Sequence, residues 1–240
     1  MSTLSSLRPP VINPSLLSAD FSHLARDIRQ VEASGAEILH LDIMDGHFVP
    51  NLSFGVPVVE AIRRTTDLIL DVHLMLSNPE PYLPVFRKAG SDCLTVHIEV
   101  VADPRPMFDL IRRLGAVPGL SLNPPTLVES VLPFVGECDL ILVMGVMPGF
   151  GGQSFNPIVL EKLRRIREAA GASAWISVDG GVNESTVSDI ASAGANMFVA
   201  GSSLFGHSDG VYSNNVDSNG VGLDIAGRFN RLRQLAEIPA

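Results

Sequence analysis

Two cysteines, no long apolar run and an acid-weighted charge balance set the outer bounds on this chain. Cys93 and Cys138 belong to no CxxC or Cys/His spacing. That excludes a cysteine-based metal site and leaves both as reduced, buried thiols near the starts of apolar runs. Mean hydropathy is positive at +0.28, yet no apolar run reaches the roughly 18 residues that a membrane span requires. The longest stretches, such as 140–144, are strand-sized. A net charge of −9 provides no basic field for nucleic acid or an anionic membrane surface. An anionic substrate would therefore have to be captured by local groups, backbone amides foremost. Positions 1–10 carry one Arg and no sustained apolar core. They do not read as a signal peptide, and a cytoplasmic location is the expectation.

The 240 residues, 46% hydrophobic and 18% charged, suffice to bury the core of one large domain. Short β-branched runs alternate with longer amphipathic ones. Strands are predicted at 11–13, 38–42, 68–74, 93–97, 117–122, 140–144, 175–178 and 197–200. Helices are predicted at 24–33, 56–64, 81–88, 106–114, 127–133, 158–169, 184–193 and 225–235. Strict βα alternation implies a parallel sheet covered by helices. Eight such units in one chain of this length point to a single-domain (β/α)8 barrel, the TIM barrel, rather than an open sheet. Gly35, Gly90, Gly115 and Gly194 stand where helices end and strands begin, as left-handed terminating residues. A polar, turn-rich stretch at about 207–222 reads as a flexible loop before the last helix.

In such a barrel the C-terminal strand ends converge on one pocket. His40 and Asp42 end the second strand at i, i+2 spacing, which puts both side chains on one face. His73 ends the third and Asp179 the seventh. Each alone has an ordinary structural explanation. Four together at one barrel mouth are a ligand set for one divalent metal ion such as Zn²⁺, Fe²⁺, Mn²⁺ or Co²⁺. His97 and Glu99 form a second i, i+2 pair at the fourth strand end, open to a supporting contact, a further ligand or a purely structural role.

Three glycine-rich turns follow strands six, seven and eight: Pro148-Gly149-Phe150-Gly151-Gly152-Gln153, Gly180-Gly181-Val182 and Gly201-Ser202-Ser203. Glycine lets backbone N–H groups approach an oxyanion closely, and a following helix N-terminus adds favourable dipole charge. This would solve the problem posed by the acidic composition, because none of these turns holds Arg or Lys. Residues 148–155 also suit a lid, with Phe150 covering the ligand.

With these residues assembled, the chain resembles the ribulose-phosphate 3-epimerases. The resemblance rests on Asn13-Pro-Ser-Leu-Leu-Ser-Ala-Asp20, His40-Leu-Asp-Ile-Met-Asp-Gly-His-Phe-Val-Pro-Asn51, Asp71-Val-His-Leu-Met75, Pro148-Gly-Phe-Gly-Gly-Gln153, Val178-Asp-Gly-Gly-Val182 and Ala200-Gly-Ser202. It implies that His40, Asp42, His73 and Asp179 ligate the metal, with Asp42 and Asp179 doubling as the catalytic acid/base pair. It also implies that Ser15 and His73 meet the substrate and that Met44, Met75 and Met147 line the pocket. Gly149, Phe150, Gly151, Gly152, Gly180, Gly181, Gly201 and Ser202 would hold a sugar phosphate. A homo-oligomer is implied too. The run Met144-Gly145-Val146-Met147 departs from the family's usual Thr with Asn or Glu.

Epimerising a carbon beside a ketone requires lifting its proton from one face and returning one to the other, a task for two acids. The implied reaction converts D-ribulose 5-phosphate to D-xylulose 5-phosphate. A hexulose 6-phosphate 3-epimerase of the allulose 6-phosphate type would use the same groups, although Asn51-Leu-Ser-Phe-Gly55 is closer to the pentulose enzymes. A decarboxylase of the orotidylate kind needs Lys in an Asp-x-Lys-x-x-Asp pattern, where Asp42-Ile43-Met44-Asp45 offers Met. A non-catalytic sugar-phosphate binder would be expected to have lost an acid or a ligand, and all four are present.

Overall fold

Aliphatic runs build β1 (Val11–Pro14), β2 (Ile38–Met44), β3 (Ile69–Met75), β4 (Cys93–His97), β5 (Val117–Leu122), β6 (Leu140–Met144), β7 (Trp175–Asp179) and β8 (Met197–Ala200). This computed structural model describes residues 3–206 and 224–237. The loop expected at about 207–222, and His207 within it, lie outside the described residues. All strands are parallel, in the order β1-β8-β7-β6-β5-β4-β3-β2. A parallel bridge between Ser15 and His40 joins the two ends of that order, so the sheet curls into a nearly closed barrel.

The outer layer consists of α1 (Leu24–Ala33), α2 (Val56–Arg63), α3 (Leu83–Ala89), α4 (Arg105–Arg113), α5 (Ile158–Ala170), α6 (Val187–Ser192), the short α7 (Ser202–Phe205) and α8 (Ile225–Ala236). β2 shows how sequence alternation becomes layering. Leu39, Leu41 and Ile43 share one core with Ile28 and Val31 of α1 and Val59 and Ile62 of α2. His40, Asp42 and Met44 take the opposite face, into the barrel. Each fully buried Leu or Ile in the outer core contributes about 1.5–3 kcal/mol.

At the other end of the strands, the first residues Val11, Ile38, Cys93, Val117, Leu140 and Met197 close around Leu4 and Leu7. The N-terminal segment thus stoppers the barrel opposite the C-terminal strand ends. Gly90 ends α3 at φ 116°, the left-handed conformation expected there, and a Cβ on it would approach Arg63 Cγ to 2.5 Å.

One predicted helix is absent. Residues 127–133 form two separate 3-10 turns, Val128–Ser130 and Leu132–Phe134. Pro133 lacks the N–H that an α-helix would need and its ring clashes with the preceding turn. The helix predicted at 184–193 is trimmed to α6. Asn183 and Thr186 divert the backbone first, Asn183 Oδ1 accepting from the Ser185 N–H at 2.9 Å and Thr186 Oγ1 from the Asn183 N–H at 3.0 Å.

Candidate metal and substrate site

Strand register brings the first four functional side chains together. Across the β2–β3 pair His40 stands opposite Asp71 and Asp42 opposite His73. Each imidazole therefore meets a carboxylate on the neighbouring strand. His40 Nδ1 and Asp71 Oδ2 are 2.8 Å apart, and Asn13 Nδ2 donates to the same oxygen at 2.8 Å. Asp71 and Asn13 carry no role in the sequence reading, because no single strand reveals its neighbour's register.

The other nitrogen of His40 has no hydrogen-bond partner although it is wholly buried. Nε2 lies 3.3 Å from Asp42 Oδ1 and 3.9 Å from Asp179 Oδ2. His73 Nδ1 faces the same two oxygens at 3.2 and 3.7 Å. Ligand atoms from His40, Asp42, His73 and Asp179 all lie within 4.8 Å of one another. Two imidazole nitrogens and two carboxylates around a common point, one nitrogen unsatisfied by the protein, fit a divalent cation of the Zn²⁺ or Fe²⁺ kind.

Burial and charge set these groups apart. For Asp179, burial pushes the carboxyl up to about 7 and the charge of Asp42 adds to the effect. Burial also opposes the charge of Asp42, but His40 and His73 outweigh it and hold its carboxyl well below the usual range. In His40 burial is overcome by Asp42 and Asp71, which raise it well above an ordinary histidine. Burial pushes His73 down to about 4, against its hydrogen bond to Asp42.

Above this cluster opens a cleft; the space within it free of protein atoms, open solvent included, is about 540 Å³. Asp42 and Asp179 form its floor, while His40 and His73, fully buried, lie beneath. Ser15 lines the cleft and donates from Oγ to Asp42 Oδ2 at 2.7 Å. Met44 and Met75 are on the wall, as are Gly149, Phe150, Gly151, Gly152, Gly180, Gly181, Gly201 and Ser202. Gly181 must be glycine: φ is 73° and a Cβ would come within 2.6 Å of Phe155 Cα.

Met147 lies elsewhere. It is 51% exposed and borders a neighbouring groove with Pro124, Pro125 and Ile158. The wall position that the sequence suggested for it is taken by Met144, the buried last residue of β6, together with Val146. Gly145 accounts for the difference. Its N–H donates to the Asp179 carbonyl at 2.6 Å and its carbonyl accepts from the Asn156 N–H at 2.9 Å, so the chain leaves the strand in a sharp turn. The loop beyond is tied down: Asn51 Nδ2 donates to the Gly149 carbonyl at 2.6 Å, and Gln153 Nε2 to the carbonyls of Met147 and Phe150 at 2.7 and 2.8 Å.

His97 does not reach the carboxylate cluster directly. Its Nε2 is 2.7 Å from His73 Nε2, and its Nδ1 is 2.9 Å from Glu99 Oε2. Burial works against the charge of Glu99, but hydrogen bonds from His97, Thr126 and the Asn123 N–H prevail and hold it at about 2.

Fold and site together define a (β/α)8 barrel whose mouth can hold a metal ion beneath a glycine-lined cleft. Among solved structures, KGPDC from Streptococcus mutans overlays with a TM-score of 0.65 at 14% identity, covering 95% of this chain and 98% of that one. A tryptophan synthase α-subunit from Pyrococcus furiosus gives 0.64 at 13%, covering 95% and 97%. At such identities these show the fold alone. Sequence carries the relationship further. The chain belongs to the ribulose-phosphate 3 epimerase family, whose pattern it matches over residues 11–205. The ribulose-phosphate 3-epimerase of Bacillus subtilis is 46% identical over 202 residues, 82% of this chain and 93% of that relative. That of Synechocystis is 49% identical over 203 residues, 81% and 87%. A cytoplasmic isoform from Oryza sativa is 49% identical over 199 residues, again 81% and 87%.

Proposed function

We propose that this chain epimerises D-ribulose 5-phosphate at C3, giving D-xylulose 5-phosphate by proton transfer between two carboxyl groups. One observation carries the reading. Asp42 and Asp179 reach the same cleft floor from β2 and β7, and their environments drive their proton affinities in opposite directions. A carboxylate held ionised can accept a proton, and a carboxyl near neutrality can supply one. A flat enediolate lying between them is open to protonation on either face.

The remaining residues bind and shelter. Backbone N–H groups of the turns at 149–152, 180–181 and 201–202 hold the phosphate in place of the missing basic side chains. Met44, Met75 and Met144 give the sugar a buried apolar wall, which keeps water from the carbanionic intermediate. Ser15, bonded to Asp42, fixes which carboxylate oxygen faces the sugar. When bound by His40, Asp42, His73 and Asp179, one Zn²⁺, Fe²⁺, Mn²⁺ or Co²⁺ supplies positive charge to polarise the ketone oxygen.

The reading extends to cytoplasmic work as a homo-oligomer, with a sugar phosphate as its small-molecule partner. Among the described residues no helix is long and apolar enough to cross a membrane, and the rice relative is named a cytoplasmic isoform. Exposed Leu127, Met147 and Ile158, the latter two bordering one groove, support self-association. Metal-replete protein incubated in D₂O with D-ribulose 5-phosphate should form D-xylulose 5-phosphate labelled at C3. A higher kcat/KM on a hexulose 6-phosphate would transfer the assignment to the six-carbon epimerases, and no C3 exchange at all would leave only a binding protein.

A further inference from the structure

The two metal-competent imidazoles are supported unequally. His40 leans directly on a carboxylate, Asp71, at 2.8 Å. On the side away from Asp42, His73 reaches a carboxylate only through an inserted imidazole: His73 Nε2 to His97 Nε2 at 2.7 Å, then His97 Nδ1 to Glu99 Oε2 at 2.9 Å. The His73 and His97 rings meet edge to edge, with centroids 4.9 Å apart and planes inclined by 27°, and Phe48 packs on His97 at 4.6 Å. Both imidazoles are wholly buried, so water cannot substitute for a lost partner.

A chain of this kind carries proton positions as well as shape. A hydrogen bond between two ring nitrogens needs one protonated and one bare nitrogen. Glu99 Oε2 accepts, so the proton of that bond is on His97 Nδ1. In a neutral His97 ring, Nε2 is then bare and accepts from His73 Nε2–H. Once a cation replaces the proton shared with Asp42 Oδ1 at 3.2 Å, His73 Nδ1 has its lone pair directed at the space between Asp42 and Asp179 where that cation would sit. Reversing the first bond would reverse all of them and put a proton on the ligating nitrogen.

Glu99 is itself held in one orientation. Its other oxygen, Oε1, accepts from the Asn123 N–H at 2.7 Å and from Thr126 Oγ. A backbone N–H can only donate, so Oε1 must remain an acceptor. The loop that supplies these donors is anchored from below by Lys162 of α5, whose buried Nζ donates to the carbonyls of Asn123, Pro124 and Thr126.

We propose that Glu99 and His97 are positioning residues for the metal: their ordered hydrogen bonds fix the tautomer of His73 that presents a bare Nδ1 to the cation. The inference rests on the metal-binding reading above and adds to it which residues outside the ligand set govern affinity. Partners of this type are worth about 10- to 100-fold in metal affinity.

Glu99→Gln is the discriminating substitution because it preserves size. With Oε1 pinned as an acceptor by the Asn123 N–H, the new amide nitrogen must face His97 Nδ1. That turns His97 Nδ1 into an acceptor and Nε2 into a donor, which opposes His73 Nε2–H. Zinc affinity of the full-length protein, measured by competition with a chromophoric chelator, should weaken about 10- to 100-fold, with kcat recovering at saturating zinc. Affinity within about twofold of wild type would overturn the relay. Histidine ring ¹⁵N–¹H correlation spectra of the zinc-loaded wild type supply a test that needs no variant. The proton of His97 should be on Nδ1 and its Nε2 bare; the opposite tautomer overturns the proposal even if zinc binds normally. A wild-type protein that takes up no divalent ion fails the metal-binding reading instead.

Discussion

Asp42 and His73 are direct register partners on β2 and β3, and Asp42 Oδ1 lies 3.2 Å from His73 Nδ1. The same carboxylate takes a 2.7 Å hydrogen bond from Ser15 on its other oxygen and opens on the cleft floor. It thus belongs to the cation cluster and to the sugar cleft at once. Asp42→Asn should keep the fold, because the amide fills the same space, and lower turnover by at least ~10². Circular dichroism melting checks the fold, and a coupled assay for D-xylulose 5-phosphate checks the rate. Near-normal turnover would remove the two-acid scheme.

Asp179→Asn tests the other face. Each acid should serve one epimer, so each Asn variant should exchange deuterium into only one of the two sugar phosphates while failing to interconvert them. The two variants should differ in which epimer is labelled. ¹H NMR of both sugars in D₂O reads this out. Equal labelling of both by either variant points to one shuttling base.

Metal uptake should depend on pH with a definite sign. Without a cation, Asp179 is protonated below about 7 and His40 holds its proton well above the ordinary histidine value. A cation must displace those protons, so apparent affinity rises with pH, by about tenfold per pH unit for each proton released. The gain from Asp179 levels off above about 7. Titration calorimetry in buffers of different ionisation enthalpy should find at least one proton released per ion at pH 6. An affinity flat from pH 5.5 to 8 contradicts this account.

Position 145 leaves no room for a side chain. A Cβ there would strike the Gly180 carbonyl and crowd the Phe155 ring at 3.0 Å. Gly145→Ala should cost about 1–3 kcal/mol, as overpacking does, and raise KM by disturbing Gly180. Urea unfolding together with steady-state kinetics would check it. An unchanged midpoint and KM would mean that the turn after β6 yields easily.

Much of this was legible in the chain. The runs at 93–97, 117–122, 140–144 and 197–200 became strands at those bounds. Short apolar-rich runs that lie between helical segments, such as Leu140–Met144 ended by Gly145, have few alternatives. The spacing of His40 and Asp42 disclosed a shared face, since alternation is a local property. Relations between strands were not legible. Asp71 and Asn13 behind His40, and the contact of His73 with His97, depend on register and curvature that no single segment contains. Met147 was expected on the wall only because the family resemblance implied it. The turn at Gly145 sends it outward, and Met144 occupies the wall. The segment 127–133 has apolar spacing suited to a helix, yet Pro133 in its last turn outweighs that pattern.

Leu4 and Leu7 seal the far end of the strands against Ile38, Cys93, Val117 and Leu140. The barrel is therefore a blind well with one doorway. Cation and sugar must enter through the same opening, and the cation's ligands are the deeper berth. Loading is then sequential, ion before sugar, and a seated sugar locks the ion in. Chelators should strip the metal slowly while substrate is present and quickly once it has been consumed.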